Sequence, residues 1–241
     1  TRLVLTRRAA LALLGGFAAA AAADDRPAQF GLTAVVVREN LRFFDRWRQY
    51  LERRVGRPVR FVRRRSYREI MDLLETGEVD FAWICGYPYV RRRDPEFLEL
   101  MAVPVYQGEP RYRSYIIVHK DSQIASLADL SGKVFAYSDP DSNSGYLQPR
   151  LMLVNAGVAP DSFFRLTFFT YNHAETVEAV ANRVAEGGAV ESYVWEFLAR
   201  TNPALTNRTR VIARSDKYGF PPLVARLGSD GELRRRMGRA I

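Results

Sequence analysis

Short apolar runs alternate with amphipathic stretches along the first third of the chain. Three apolar runs predict β-strands and are "FGLTAVVV" (30–37), "PVRFVRR" (58–64) and "VDFAWICG" (79–86). Two helices are predicted between them, over 39–56 and 66–77, and the second opens on the capping-box pair Ser66 and Glu69. This β-α-β-α-β order indicates a mostly parallel sheet with helices on its faces.

A second set of alternating elements begins at residue 114. Strands are predicted over 114–120, 133–138, 164–170, 188–192 and 208–215. Helices are predicted over 146–157, 173–187 and 193–200. The apolar stretch "FPPLVAR" (220–226) then predicts a return of the chain to the first set. The pattern therefore predicts an α/β protein of two lobes, 27–113 plus 216–241 and 114–215, with a ligand cleft between them.

The first 26 residues have the pattern of an export signal. Residues 1–23 contain three arginines and no acidic residue, and these are followed by about 15 apolar residues and an alanine-rich stretch. Such a run is shorter than the ~20 residues that a membrane-spanning helix needs. The pair Arg7 and Arg8 resembles a twin-arginine signal, and a general secretory signal is the alternative. We expect the segment 1–26 to be cleaved and the mature chain to work in the periplasm.

The chain carries a formal net charge of +9, from 36 Lys and Arg against 27 Asp and Glu. A positive field favours anionic partners of any kind. The arginines are spread along the chain and no nucleic-acid recognition motif accompanies them, so we expect no nucleic-acid partner. One cysteine, Cys85, and two histidines, His119 and His173, are too few for a disulfide or a Cys- and His-built metal site. We expect no metal and no cofactor.

Polar residues follow several predicted strands, and open α/β sheets bind their ligands at that edge. They are Tyr87 after "VDFAWICG", Ser142, Asn143, Ser144 and Gly145 after "KVFAYSDPD", His173 after "FRLTFFTYN" and Glu191 after "GGAV". A helix N-terminus offers unpaired N–H groups and a partial positive charge, and serine hydroxyls add further donors. The serine turn is therefore a candidate anion site. His173, at another helix start, would act as a neutral donor from the opposite side.

Each candidate also has a purely structural interpretation. The serines can serve only as N-caps, His173 can be a surface residue, and Tyr87 can be a core or rim aromatic. A carboxylate at Glu191 would repel an anion. It is therefore either a helix-start residue or the partner of an amine or of a protonated oxygen on the ligand. Cys85 lies in an apolar strand, which favours an inert buried thiol, while a Cys–His nucleophile pair is the enzymatic alternative.

Four segments resemble one known family. They are "VDFAWICGYPYV", "KDSQIASLADLSGKVFAYSDPDSNSGYLQPR", "NH…VEAV" and "TRVIARSDKYGFPPLVAR". From about Gly31 to Arg226 the chain is similar to the phosphate/phosphite/phosphonate substrate-binding proteins of ABC importers. The run "SLADLSGKVFAYSDPDSNSGYLQPR" is the most specific part of this resemblance, because the whole run occurs in one order.

The resemblance implies a type II periplasmic-binding fold, in which two α/β lobes joined by two crossing strands close on a ligand like a hinge. It implies a small oxyanion ligand, no catalysis, an ABC permease with its ATPase as partners, and a monomer. Phosphate, phosphite, phosphonates and sulfonates all fit the same donors. The ligand contacts that it implies are Ser142, Asn143, Ser144, His173, Tyr87 and Tyr115.

The chain departs from the family pattern at three places. Glu191 stands where relatives often carry Asp, and the turn that ends at His173 reads "TYNH" instead of Gly-Ser-His. The last helices of the first lobe are missing after Ile241, so we expect the chain to be a fragment. Two other functions remain open at this stage, namely a sensory module coupled to a membrane kinase or receptor, and an enzyme that uses Cys85.

Overall fold

The computed structural model describes residues 26–33, 41–92, 94 and 96–241. The predicted signal segment, apart from Arg26, lies outside the described residues. So do residues 34–37 of the first predicted strand and residues 39–40 of the first predicted helix.

Strands and helices alternate as the sequence pattern predicts. The strands are β1 (Ala28–Leu32), β2 (Val59–Arg63), β3 (Phe81–Trp83), β4 (Leu98–Ala102), β5 (Arg111–Tyr112), β6 (Ser114–His119), β7 (Val134–Tyr137), β8 (Leu166–Phe169), β9 (Gly187–Glu191), β10 (Thr209–Arg214), β11 (Tyr218–Gly219) and β12 (Leu223–Arg226). The helices are α1 (Leu41–Val55), α2 (Tyr67–Thr76), α3 (Gly86–Arg92), α4 (Gln148–Asn155), α5 (Pro160–Phe163), α6 (His173–Ala181), α7 (Ser192–Thr201), α8 (Pro203–Thr206) and α9 (Gly231–Ala240). A 3₁₀ turn covers Ala128–Leu130, and a π-helical turn covers Asn143–Leu147.

The first sheet has the strand order β2-β1-β3-β12-β4. Strand β1 runs parallel to β2 and β3, whereas β12 is antiparallel to both β3 and β4. The predicted return of the chain over 220–226 is therefore confirmed. Phe30 of β1 packs against Trp47 of α1 and Phe81 of β3, with ring centroids 5.2 and 6.2 Å away. This aromatic packing forms the centre of the first core.

The second sheet has the strand order β10-β6-β9-β7-β8. Strand β7 is parallel to β8 and β9, and β6 is antiparallel to β9 and β10. Helix α6 packs on one face of this sheet through Val177 and Val180, which are fully buried. The two connections between the sheets pair with each other, since β11 is antiparallel to β5. The fold is the predicted mixed α/β arrangement of two sheets with helices on their faces.

Several element boundaries differ from the predictions. Helix α3 and strand β4 were not predicted, because residues 86–92 contain a glycine and a proline and residues 98–102 do not alternate between buried apolar and exposed polar positions. The helix predicted over 146–157 is preceded by the π-helical turn, so the helical backbone already begins at Asn143. Helix α6 ends at Ala181 instead of 187, because Arg183 adopts a left-handed φ of 59°.

Helix α2 begins with the capping box that the sequence predicts. The Ser66 hydroxyl accepts from the Glu69 N–H at 3.3 Å, and the Glu69 carboxylate accepts from the Ser66 N–H at 2.8 Å. Gly77 ends the helix with a left-handed φ of 80°. These caps fix the start of α2, where Tyr67 is the first helical residue.

We predict that Ser66→Ala lowers the free energy of unfolding by about 1 kcal/mol, because it leaves a helix-start N–H without its acceptor. Urea unfolding monitored by circular dichroism measures this change. Ser162→Ala is the matched control, because Ser162 is an exposed serine within α5. Equal unfolding midpoints for the two variants would show that the cap contributes nothing.

Candidate functional site

Seven polar side chains from both sheets meet in the interior. They are Tyr67, Tyr112, Ser138, Asp139, Ser144, His173 and Glu191, which we call the buried cluster, and each is at most 3% exposed. Burial raises the pKa of the Tyr67 phenol well above its usual value, and the nearby Glu191, Asp139 and Tyr112 raise it further. Polar groups are buried at this density only where they bond to one another or to a ligand.

Parallel strands place three members of the buried cluster at one edge of the second sheet. Ser138 follows the last residue of β7, Glu191 ends β9, and His173 begins α6 shortly after β8. Because β7 is parallel to both β8 and β9, the carboxyl ends of all three strands meet. The expectation that the strand ends of the second set converge is therefore confirmed for His173 and Glu191.

His173 is held in one tautomer by the backbone. The N–H of Glu191 donates to Nδ1 of His173 at 3.1 Å, so this nitrogen carries a lone pair and no proton. The Ser138 hydroxyl, which donates to the Ala189 carbonyl at 2.8 Å, lies 2.9 Å from the same nitrogen. Burial lowers the pKa of His173 to about 3. The ring is therefore neutral near pH 7 and carries its proton on Nε2.

The Nε2–H group of His173 faces the first sheet. Nε2 lies 3.1 Å from the hydroxyl of Tyr67 and 3.8 Å from Oε2 of Glu191. Tyr67 comes from α2 beside the first sheet, and His173 begins α6 beside the second sheet. This contact therefore joins the two sheets with their attached helices, which we call the first and second sheet units. His173 thus presents a fixed donor between a phenol and a carboxyl group.

Glu191 lacks the partners that a buried carboxylate needs. It is 1% exposed, and among the described residues its Oε1 atom has no hydrogen-bond partner. The only ion-pairing group within 4 Å of it in the described part of the chain is His173, which is neutral. Burial raises the pKa of Glu191 to about 8, so near pH 7 its protonated form predominates.

The serine turn holds its three predicted contact residues in different ways. The Ser142 hydroxyl accepts from the Gly145 N–H at 2.9 Å, as an N-cap does. The Asn143 side chain donates to the Tyr112 hydroxyl at 2.9 Å. The Ser144 hydroxyl is buried and makes no hydrogen bond of normal geometry among the described residues, although it lies close enough to the Tyr112 hydroxyl to oppose the rise in the pKa of that phenol. The structural interpretation therefore applies to Ser142, and the ligand-binding interpretation stays open for Ser144.

Ser114 contacts Ser144 and lies opposite Glu191, so it places these two residues close together. The Ser114 hydroxyl donates to the Ser144 carbonyl at 2.6 Å, and Ser114 is the register partner of Glu191 across β6 and β9. Register partners on antiparallel strands project their side chains to the same face. Two buried oxygens without partners, Oγ of Ser144 and Oε1 of Glu191, thus occur in one neighbourhood.

Further contacts join the first sheet unit to the second around the buried cluster. The Tyr67 N–H donates to Oδ2 of Asp139 at 3.0 Å, and the Asp141 N–H donates to Oδ1 of Asp139 at 2.8 Å. Burial raises the pKa of Asp139 to about 6, although both N–H groups oppose this rise. Arg91 reaches Oδ1 of Asp141 at 3.0 Å, and Arg68 lies 3.7 Å from Oδ2. These contacts close the interface over the cluster.

The structure places Tyr87 and Tyr115 outside the buried cluster. Tyr87 is half-buried on α3 and lines an apolar cleft with Val103, Phe220 and Asn143. The Tyr115 hydroxyl donates to Oε1 of Glu196 at 2.6 Å, because alternate residues of β6 project to opposite faces of the sheet. Asn143 and Phe220 both line this cleft and both contact Tyr112 of the cluster.

Cys85 and His119 do not form a nucleophile pair. The Sγ atom of Cys85 accepts from the Asn143 N–H at 3.4 Å, and burial raises the pKa of this thiol to about 12. His119 lies beside Asp121 and Arg183 on the other side of the second sheet unit. The described residues contain no group of three or more His, Cys, Asp or Glu side chains suited to a metal ion.

Sequence reasoning missed Tyr67, Tyr112, Ser138 and Asp139 as members of the cluster. Ser138 and Asp139 could have been found, since Ser138 ends the strand predicted over 133–138 and Asp139 follows it. Tyr67 and Tyr112 carry no such signal, because they reach the cluster from the first sheet unit. None of the helices that the structure describes is both long and apolar enough to cross a membrane.

Comparisons with known proteins bear on the same stretch of chain. A profile of the family described as "ABC transporter, phosphonate, periplasmic substrate-binding protein" matches residues 30–241. The chain is 27% identical over 211 residues to the phosphonates-binding periplasmic protein of Escherichia coli, and this covers 84% of the chain and 62% of that relative. The chain thus spans less than two thirds of the length of this relative.

Two solved structures have a similar fold. A binding protein component of an ABC phosphonate transporter from Pseudomonas aeruginosa matches with a TM-score of 0.77 and 26% identity, over 89% of this chain and 73% of that one. The structure of PhnD1 from Prochlorococcus marinus in complex with methylphosphonate matches with a TM-score of 0.80 and 20% identity, over 90% of this chain and 84% of that one.

We predict that the unfolding free energy of Glu191→Gln increases relative to that of the natural chain as pH rises. The pKa of Glu191 is raised from about 4.3 when unfolded to about 8 in the fold. The carboxyl group therefore favours the folded state fully below pH 4, and that contribution is lost as pH rises towards 8. Between pH 5 and pH 8 the difference in unfolding free energy should shift by about 3.5 kcal/mol in favour of the amide variant.

Urea unfolding of both proteins at pH 5, 6, 7 and 8 tests this prediction. Glu178→Gln is the control, because Glu178 is exposed on α6 and loses the same formal charge. A constant difference between Glu191→Gln and the natural chain across this range would contradict a protonated buried carboxyl group.

We also predict that Gly145→Ala destabilises the fold by about 1–3 kcal/mol through overpacking. A Cβ atom at Gly145 would lie 2.5 Å from Cβ and 2.7 Å from Oγ of Ser138, the residue that contacts His173. Gly219→Ala is the control, since a Cβ there meets nothing within 4 Å. Thermal unfolding of the two variants measures the difference, and equal melting temperatures would contradict the close approach.

Proposed function

The chain belongs to the family of periplasmic substrate-binding proteins of phosphonate ABC transporters, and on this premise we propose that it captures a small tetrahedral oxyanion outside the cytoplasm and delivers it to an ABC importer. Its fold is the type II periplasmic-binding fold that the sequence predicts. The ligand class is phosphonate, phosphite or phosphate. Its partners would be a membrane permease and the ATPase of that permease, with the protein itself a monomer.

The observation that carries this proposal is the pair of buried oxygens without partners. The Glu191 carboxyl group lies 3.8 Å from Nε2 of the neutral His173, and the Ser144 carbonyl accepts from Ser114, the register partner of Glu191. Buried polar atoms are nearly always hydrogen-bonded. Six are without a partner among the described residues, and the neighbourhood of these two oxygens supports a ligand-binding role for them. An oxyanion with several acceptor oxygens would bond to Ser144, to His173 and to the carboxyl group of Glu191 if that group is protonated.

We propose different roles for the other predicted contact residues. Ser142 and Asn143 shape the turn that presents Ser144, because their side chains are bonded to Gly145 and Tyr112. Tyr87 and Tyr115 hold no such position, and we assign neither to the oxyanion. Tyr67 is added as a contact, since its hydroxyl lies beside the donor nitrogen of His173.

The proposed lobes are 27–113 plus 216–241 and 114–215. The two sheets draw their strands from these ranges, and the paired strands β5 and β11 lie where the chain passes between them. We propose that the lobes open and close about this pair. The contacts of Tyr67 with His173 and Asp139 correspond to the closed state.

Binding without catalysis is supported by the chemistry of the cluster. An enzyme based on Cys85 would need a reactive thiolate, but the pKa of this thiol is raised to about 12 and the thiol is buried. Family membership favours delivery to an importer over the sensory alternative. We further propose that residues 1–26 direct the chain to the periplasm and are then removed.

We predict that methylphosphonate, phosphite or phosphate raises the melting temperature of the protein. A ligand present at 100 times its Kd stabilises a folded protein by about 2.7 kcal/mol. Differential scanning fluorimetry with these three anions, and with sulfate as a comparison, measures the effect. The proposal fails if none of the anions shifts the transition.

The variant Ser144→Ala separates binding from folding. Because the Ser144 hydroxyl has no partner in the described structure, we expect its loss to leave the ligand-free stability unchanged. Loss of one hydrogen bond to a charged ligand costs about 1.5 kcal/mol, so we expect the Kd to rise about tenfold. Ser142→Ala is the control, and it should lower stability because this hydroxyl caps the turn. Unchanged affinity in Ser144→Ala would remove Ser144 from the site.

A further inference from the structure

The carboxyl group of Glu191 is surrounded by groups that cannot neutralise a negative charge. The titratable side chains around it come from α2, the end of β3, β5, the end of β7 and α6, and they are Tyr67, Cys85, Tyr112, Asp139 and His173. Each of these is neutral or acidic. Among the described residues, no lysine or arginine lies within ion-pairing distance of Glu191.

An oxyanion at this place meets an electrostatic conflict. A carboxylate and an oxyanion side by side in a buried site repel each other, and neither can donate a hydrogen bond to the other. One proton between a Glu191 oxygen and a ligand oxygen removes the repulsion and gives Oε1 its missing hydrogen bond. The proton can start on Glu191 or on the ligand, and the resulting complex is the same.

His173 cannot hold that proton in place of Glu191. Its Nδ1 atom already accepts the Glu191 N–H at 3.1 Å. If Nδ1 were protonated, its N–H would face the Glu191 N–H, and two donors would repel each other. Its Nε2 atom already carries a hydrogen. The shared proton therefore belongs to Glu191 and the ligand.

We propose that Glu191 and the bound oxyanion share a single proton, so that the site selects tetrahedral oxyanions whose oxygens are basic enough to share it. This inference rests on the proposed function and specifies the ligand class. Phosphonate and phosphite oxygens meet this requirement, whereas sulfonate oxygens are poor proton acceptors. Glu191 is thus a specificity-determining residue that recognises a proton on the ligand, and it is not a site for a ligand ammonium group.

The proposal is tested with methylphosphonate at pH 7.0, 8.5 and 9.5. Above pH 8.5 both the free ligand and the free Glu191 are deprotonated, so binding must take up one proton. The Kd should rise about tenfold for each pH unit in that range. Isothermal titration calorimetry at pH 9 in two buffers of different ionisation enthalpy should give an uptake of about one proton. Circular dichroism at each pH confirms that the protein remains folded.

Two variants locate the proton. Glu191→Gln keeps a neutral donor at the same position but cannot take up a proton, so the rise of its Kd for methylphosphonate between pH 8.5 and 9.5 should disappear. The control Glu178→Gln removes an exposed carboxylate from α6 and should keep the full pH dependence. Methanesulfonate should bind at least tenfold more weakly than methylphosphonate at pH 7.

Three results would overturn the proposal while leaving the proposed function intact. The first is a Kd for methylphosphonate that is constant between pH 8.5 and 9.5. The second is a pH dependence that persists in Glu191→Gln. The third is much tighter binding of aminomethylphosphonate than of methylphosphonate that is lost in Glu191→Gln, since this would make Glu191 a carboxylate that pairs with an amine. Failure of the natural chain to bind methylphosphonate, phosphite and phosphate at any pH would overturn the proposed function together with this inference.

Discussion

The site depends on one backbone hydrogen bond, from the N–H of Glu191 to Nδ1 of His173. Its donor, Glu191, is the last residue of β9, and its acceptor, His173, is the first residue of α6. The bond decides which imidazole nitrogen of His173 carries the proton. Because the N–H belongs to the main chain, no substitution at position 191 except proline removes it. The donor at Nε2 is therefore set by the path of β9, which in turn is fixed between β6 and β7. The ring is neutral because it is buried. Under the proposed function it would therefore donate to an anion without attracting all anions by charge.

Around that bond the proposed site would bind an anion through neutral groups, without a cation beside it. The described site has no arginine or lysine beside Glu191 or His173, even though the chain carries a net charge of +9. Neutral donors distinguish ligands by the number and basicity of their oxygens, whereas a cation would attract any negative charge. The arginines that do approach, Arg68 and Arg91, bond to Asp141 at the margin and hold the two sheet units together. Under the proposed function, charged pairs would hold the closed lobes together and neutral groups would recognise the ligand.

The sequence predicted the alternating α/β order, the capping box of α2 and the positions of His173 and Glu191 at strand ends, because these follow from local periodicity and from the rule for parallel sheets. It could not separate Ser142 from Ser144. The two hydroxyls are two residues apart and chemically identical, and only the π-helical turn gives one a partner and leaves the other without one. Tyr67 and Tyr112 were missed for a different reason. Their place in the cluster depends on how the two sheet units meet, which no local pattern encodes.

The complete burial of His173 and Glu191 has a kinetic consequence under the proposed function. A ligand held among these residues has no route to solvent while Tyr67 contacts His173 and Asp139. Its residence time is then limited by how often the β5–β11 connection flexes, and less by the strength of any one hydrogen bond. Residues such as Arg91 and Asp141, which never touch the oxyanion, would in this way set the rate at which a partner can take it.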